Sequence, residues 1–304
     1  MPATGSETNT KVVPPWELTF PPLYATADEA ASRWQMSYLR LIRAEYGLLL
    51  VAAVLAMNFS THGLYFAMYG LVFLASLGVL LYRTGEKPEQ DWYRCRALAE
   101  SVKTTTWRYV MRAVPFAADD GAARGALRDM LGQLLRSNEH IVQKLAGYSA
   151  AGSPTTTEME QVRVLDWRLR RDYYVQHRIR NQRDWYHAKA KYNADSAGWW
   201  RSVSIAIYVA AVALVLARIA IQGGEFWPIE PLVVAASAVL GWMQIKKFNE
   251  LASAYTLTAL EISLIEDKLR EVETDAELSE FVNEAELAFS REHTQWVARQ
   301  TNRY

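Results

Sequence analysis

Charged and apolar residues are sharply segregated along this chain. No Lys, Arg, Asp or Glu lies between Glu45 and Arg83. That stretch of about 37 residues equals two short bilayer crossings joined by a tight turn, and Ser60, Thr61, His62 and Gly63 supply turn residues at its middle. A second apolar pair begins near Val203 and ends at Ile245, with the turn QGGEFWP (Gln222–Pro228) between its arms. Buried helices of soluble proteins usually keep a polar stripe, and these runs lack one. The pattern predicts an all-α membrane protein with two transmembrane helical hairpins. Its four spans fall at about 46–60, 64–82, 203–221 and 227–245.

The flanking segments read as long cytosolic helices forming a helical bundle. After the second hairpin, Phe248, Leu251, Tyr255, Thr258, Ile262, Ile265, Leu269 and Val272 follow steps of three and four, the spacing of a packed helical seam. The last span is therefore expected to run on as one long helix. The seam (Phe248, Leu251, Tyr255, Ile262, Ile265, Leu269) packs either within one chain's bundle or between subunits of a homo-oligomer. Asp275 and Glu277 open a further amphipathic helix. Trp92, Cys95, Leu98, Val102 and Tyr109 mark a helical face after the first hairpin. Leu127, Met130, Leu134, Ile141 and Leu145 mark another.

This organisation divides the chain into a disordered N-terminal arm (1–25), a first domain (26–148), a linker (149–158, SAAGSPTTTE) and a second domain (159–304). Each half reads as helix, hairpin, helix, a tandem duplication of architecture. Ala97, Leu98 and Glu100 in the first half resemble Ala259, Leu260 and Glu261 in the second.

Basic residues set the expected orientation. Arg40, Arg43, Arg83 and Lys87 flank the first hairpin, and Arg201, Lys246 and Lys247 flank the second. The positive-inside rule then places both termini in the cytosol and both short turns outside. Arg218 stands inside an apolar run, about one helical turn before the external loop, with Glu230 at a similar distance after it. Two readings follow: an outer-leaflet charge pair that snorkels, or a charge lining a pore.

Lys+Arg and Asp+Glu are both 33, so net charge gives no expectation of nucleic acid as a partner. A single cysteine, Cys95, excludes an intramolecular disulfide. The first residues lack the basic and apolar regions of a signal peptide. The basic, aromatic segment from Val162 to Trp200 carries Arg178, Gln182, Trp185, Tyr186 and Lys189 at helical spacing. Such a face meets anionic membrane lipid headgroups, or binds nucleic acid or a nucleotide second messenger. The chain has no Gly-rich phosphate loop, no zinc-type cluster and no HExxH helix, and the adjacent Glu292 and His293 have no third group. Neither a cofactor nor an enzymatic activity is expected.

Three stretches resemble a known family. RALAESVKTTTWRYVMRAVPF (Arg96–Phe116), RIRNQRDWYHAKA (Arg178–Ala190) and EAELAFSREHTQWVARQ (Glu284–Gln300) are similar to segments of SLATT domains, the SMODS- and SLOG-associating two-transmembrane effector domains. Two in tandem would cover nearly the whole chain. The resemblance implies a bacterial inner-membrane effector of an anti-phage conflict system that oligomerises and permeabilises the membrane. It also implies that a separate sensor protein or nucleotide signal provides the trigger. A non-conducting scaffold and a nucleotide-sensing receptor are the competing readings.

Overall fold

The computed structural model describes residues 12–139, 141, 145, 152–221 and 227–301, with side chains up to Ser290. Every regular element among these residues is helical. The chain begins with α1 (Pro22–Leu55), α2 (Gly63–Glu86) and α3 (Pro88–Val110), followed by α4 (Asp120–Ser137), α5 (Thr157–Arg163) and α6 (Trp167–Tyr174). A π-helical turn, Val175–Arg180, leads into α7 (Asn181–Ala220). The chain ends with α8 (Ile229–Lys246), α9 (Phe248–Leu269) and α10 (Asp275–Thr301).

Helix starts follow local chemistry. Asp119 accepts from the backbone N–H of Gly121 and Ala122, and Thr156 accepts from that of Met159. Thr274 and Glu277 form a reciprocal capping box at α10, with Glu277 N–H donating to Thr274 Oγ1 at 3.2 Å and Glu277 Oε2 accepting from the N–H of Glu273 and Thr274. The expected start of that helix at Asp275 is the observed one.

The chain forms two compact units. The first takes residues 12–32, 92–184 and 260–301 of those described, and the second takes 33–91 and 185–259. Neither unit is one half of the sequence. Both halves give their hairpins to the second unit and their polar helices to the first.

The first unit has a conventional buried core. Leu98, Val102, Trp107, Tyr109, Phe116, Leu127, Ile141 and Val282 are all 2% exposed or less. Residues 12–25, expected as part of a disordered arm, leave Val12 exposed but are packed from Trp16 onward, because aromatic and apolar side chains anchor them. Leu18 is buried, Trp16 lies 5.7 Å from the Tyr173 ring, and Phe20 packs against Trp107. Residues 1–11 lie outside the described residues.

The second unit is turned inside out by the standards of a soluble protein. On α2, Leu64, Leu71 and Leu74 are 65–75% exposed, and no α2 residue is buried. Val209, Leu216 and Ile219 on α7 are equally bare. Three helical stretches, Gly63–Val110, Trp167–Ala220 and Ile229–Leu269, contain runs long and apolar enough to cross a membrane. The first apolar run is not among them. After Glu45 its helix continues only through residues 46–55, about 15 Å at the α-helical rise against a hydrocarbon core of about 30 Å. Within this unit Arg83 pairs with Glu45 at 3.3 Å, and the Tyr65 hydroxyl donates to the Leu55 carbonyl across the α1–α2 turn. Gly241 permits a close helix approach, since a methyl group there would overlap the Tyr46 phenol.

The last span does not run on as one helix. Lys247 sits at φ 49°, ψ 41°, a left-handed conformation that ends α8 and starts α9. Lys87 does the same between α2 and α3 at φ 47°, ψ 53°. These lysines, 160 positions apart, set a register between the two halves. At that spacing Leu98, Ala99, Val102, Thr106 and Tyr109 on α3 match Thr258, Ala259, Ile262, Glu266 and Leu269 on α9, and all ten are buried. The Ala-Leu-Glu correspondence seen in the sequence is out of this register, by two residues at Ala and Leu and by one at Glu. It pairs Leu98, which is 1% exposed, with Leu260, which is 55% exposed.

Candidate functional site

The segment from the end of α5 through the π turn brings arginines into the interior of the first unit. Arg163 is fully buried and donates to the carbonyls of Tyr109 (2.6 Å), Phe116 (2.9 Å) and Ala118 (3.2 Å) and to Asp120 (2.9 Å). Arg170 donates to the Met111 carbonyl at 2.8 Å and to Asp275 at 2.6 Å. Arg178 makes a two-pronged pair with Glu286 at 2.7 and 2.8 Å, and Tyr174 donates its hydroxyl to the same carboxylate at 2.8 Å. Burial alone would lower the Arg178 pKa, but the Glu286 carboxylate outweighs it and holds the guanidinium firmly charged. A buried charge is tolerated only when paired and hydrogen-bonded, and all three arginines meet that condition.

The π-helical turn explains why Arg178 points inward. A π turn carries one more residue than an α turn, so the face extrapolated from α-helical spacing is rotated at this point. Arg178 and Gln182 belong to the first unit, where Arg178 Nη1 donates to Gln182 Oε1 at 3.2 Å. Trp185, Tyr186 and Lys189 belong to the second. There Trp185 and Tyr186 pack on Tyr255, and Lys189 lies over the Trp185 ring. The expected exposed basic face is therefore corrected. Its arginine is a buried ion-pair partner, and its residues divide between two compact units. Arg180 and Arg183 are also occupied, both pairing with Glu266 at 2.8 and 2.7 Å.

Beside the Arg178–Glu286 pair lies a cavity of about 170 Å³. Lys103 and Trp107 line it from α3; Arg178, Asn181 and Gln182 line it from the π turn and the start of α7. The N-terminal strap around Phe20 forms another wall. The strap is tied down by backbone carbonyls. Pro14 O lies 3.1 Å from His177 Nε2, Trp16 O accepts from Tyr173 Oη at 3.2 Å, and Thr19 O accepts from Thr156 Oγ1 at 2.8 Å. Burial, followed by the charge of Arg178, pushes the Lys103 pKa down to about 8. The Trp107 indole N–H is buried without a hydrogen-bond partner. Lys103 and Trp107 come from one of the stretches that carry the family resemblance, and Arg178, Asn181 and Gln182 come from another. Sequence reasoning missed this site because its members are some 75 positions apart.

The other expected sites resolve individually. Phe248, Thr258, Ile262 and Leu269 of the helical seam are buried within the chain, and Leu251, Tyr255 and Ile265 are half-buried. The opposite face of α9 exposes Leu257, Leu260 and Leu264 instead. Arg218 and Glu230 are both exposed, and no ion pair joins them among the described residues. Arg218 lies in the last turn of α7 and Glu230 in the first turn of α8. Each charge thus complements its own helix dipole. Residues 222–226 of the intervening loop, Glu292 and His293 lie where the structure describes no side chains. Among the described residues no group of three His, Cys, Asp or Glu side chains could hold a metal ion.

Comparison with known families accounts for both halves. Residues 21–171 match SMODS and SLOG-associating 2TM effector domain 3, and residues 174–296 match SMODS and SLOG-associating 2TM effector domain 1. The two matches meet at 171–174, downstream of the 149–158 segment expected as the linker. No curated protein and no solved structure matches the chain. With its apolar helices turned outward and each half matched by its own family model, the chain is a membrane protein of the SLATT effector family carrying two such domains in tandem.

Proposed function

We propose that this protein is a bacterial inner-membrane effector of an anti-phage conflict system, which oligomerises and permeabilises the membrane on a cytosolic cue. It acts without enzymatic chemistry. The observation that carries this reading is the bare apolar surface of the second unit, built from the hairpins of two effector domains. All four apolar runs enter the bilayer, the first as a short span that thins or tilts against its neighbours. The basic flanks at Arg40, Arg43, Arg83, Arg201, Lys246 and Lys247 keep both termini in the cytosol. The exposed Val233 and Leu240 on α8 are the side chains available to a neighbouring copy.

The test is membrane potential in bacterial cells expressing the protein, followed with a dye with and without phage. Rapid depolarisation that is weakened by V233N and L240N supports the reading. A potential that stays constant under both conditions rejects it. One observation favours a second reading. Leu257, Leu260 and Leu264, 55–64% exposed on one face of α9, suit a non-conducting scaffold that recruits a soluble partner. That reading expects a stable potential and loss of function on L260E. A nucleotide receptor acting through an exposed arginine face has less support, because Arg178, Arg180 and Arg183 all have carboxylate partners.

A further inference from the structure

We propose that the cavity beside the Arg178–Glu286 pair binds a small oxyanion group, a carboxylate or a phosphate, held by the Lys103 ammonium and the Trp107 indole N–H. The donors are in place and unused. Lys103 makes no hydrogen bond or ion pair among the described residues. The carboxylates close enough to influence it are already claimed, Glu100 by Arg96 at 2.6 Å and Glu286 by Arg178. Trp107 is 2% exposed and its Nε1 has no acceptor. An unpaired buried donor loses its solvation and regains nothing, as the Trp107 N–H does; beside a half-buried ammonium in the same cavity wall with no carboxylate paired to it, it points to an acceptor that arrives from outside.

The remaining wall agrees in sign. Gln182 spends its carbonyl oxygen on Arg178, which leaves its N–H₂ group as the available end. Asn181 adds a second carboxamide. Arg178 is neutralised by Glu286, so the net charge of the cavity floor is that of Lys103. The lining carboxylate of Glu17 is at the exposed mouth. At about 170 Å³ the cavity is well below the ~300–1,000 Å³ of pockets that enclose drug-sized ligands. It takes one anionic group or the anionic end of a longer molecule.

Binding should also be linked to protonation. Arg96 and Glu100 on the same helix, His177 and Arg178 on the π turn, Glu286 on α10 and Glu17 on the strap surround Lys103. Burial, with Arg178 and Arg96 lowering it and Glu100 and Glu286 raising it, holds its pKa at about 8. A bound anion raises that pKa, so affinity is full below pH 8 and falls as pH rises through it.

The experiment uses the full chain purified in detergent, so it does not depend on whether the protein conducts ions. Thermal melts are recorded against inorganic phosphate and, separately, acetate and succinate, with chloride at matched ionic strength. A saturable rise in melting temperature with phosphate alone identifies a phosphate group, and one with the carboxylates alone identifies a carboxylate. K103M, which removes a buried charge and should fold, is expected to weaken the effect at least ten-fold. W107F should weaken it several-fold. Hydrogen exchange of residues 16–20 should slow in the bound state, because the strap forms a wall of the site. The proposal is overturned if no anion gives a saturable shift, or if K103M retains the wild-type response.

Discussion

Two charged residues of the first unit behave in opposite ways because one has a partner and the other does not. The Arg178–Glu286 pair is buried on both sides, with side chains 2% and 0% exposed. Removing one partner leaves the other charge stranded, which costs about 3–5 kcal/mol. R178M should therefore destabilise the protein by that order in a denaturant melt. The double variant R178M/E286L should recover most of the loss, because it strands no charge. Lys103 is the converse. Its pKa is about 8 folded against 10.5 in the unfolded chain, so the unfolded state binds more protons between those values. Stability accordingly rises as pH increases from about 8 to 10.5. K103M should raise the melting temperature at pH 7, and the gain should shrink as pH approaches 10.5. A melting temperature lowered by K103M at pH 7 would show that the lysine is a structural asset. Neither behaviour was legible in the sequence. Arg178 reads as part of an exposed face under regular α-helical spacing, and its partner Glu286 is 108 positions away.

At the scale of the element, hydrophobic periodicity located the helices and their buried faces well. Phe248, Ile262 and Leu269 are buried as their spacing requires. Periodicity says nothing about breaks that preserve helical phase. Lys87 is followed by Pro88, which disfavours continued helix in the residue before it. No such signal accompanies Lys247, so its left-handed turn was not foreseeable from local chemistry. The geometry makes a direct prediction. Glycine adopts positive φ without the steric cost borne by a side chain, so K247G should stabilise the joint by roughly 0.5–1 kcal/mol. K247P should disrupt it, because proline holds φ near −65°. Melting temperatures of the two variants should move in opposite directions. A rise in both would mean that α8 and α9 do not need the left-handed residue.

At the scale of the whole molecule, the sequence correctly presents two similar halves but misleads about what a half is. A composition shift such as SAAGSPTTTE reads as a boundary between bodies. Here Thr156 and the residues after it belong to the same compact unit as the helices on either side. The two family matches are consecutive in the chain, whereas each compact unit collects segments from both. Fragments 1–171 and 174–304 should therefore fold poorly alone and recover stability when co-expressed. Co-purification in detergent, followed by a melt of the pair, checks this. Two fragments that are each stable and monodisperse alone would show that the matches are independent domains.

The register set by Lys87 and Lys247 also bears on stoichiometry. Residues 12–32, which lead into the first hairpin, contain no Lys or Arg, whereas the residues in register with them, 172–192, carry Arg178, Arg180 and Arg183. The halves are thus unlike partners fused at a fixed ratio. Any assembly of this chain, whatever its number of copies, contains both kinds of hairpin in equal number. A substitution in one half alters every second hairpin of such an assembly and leaves the others as they were. Expressing either half in excess would upset that balance, which the covalent linkage otherwise guarantees.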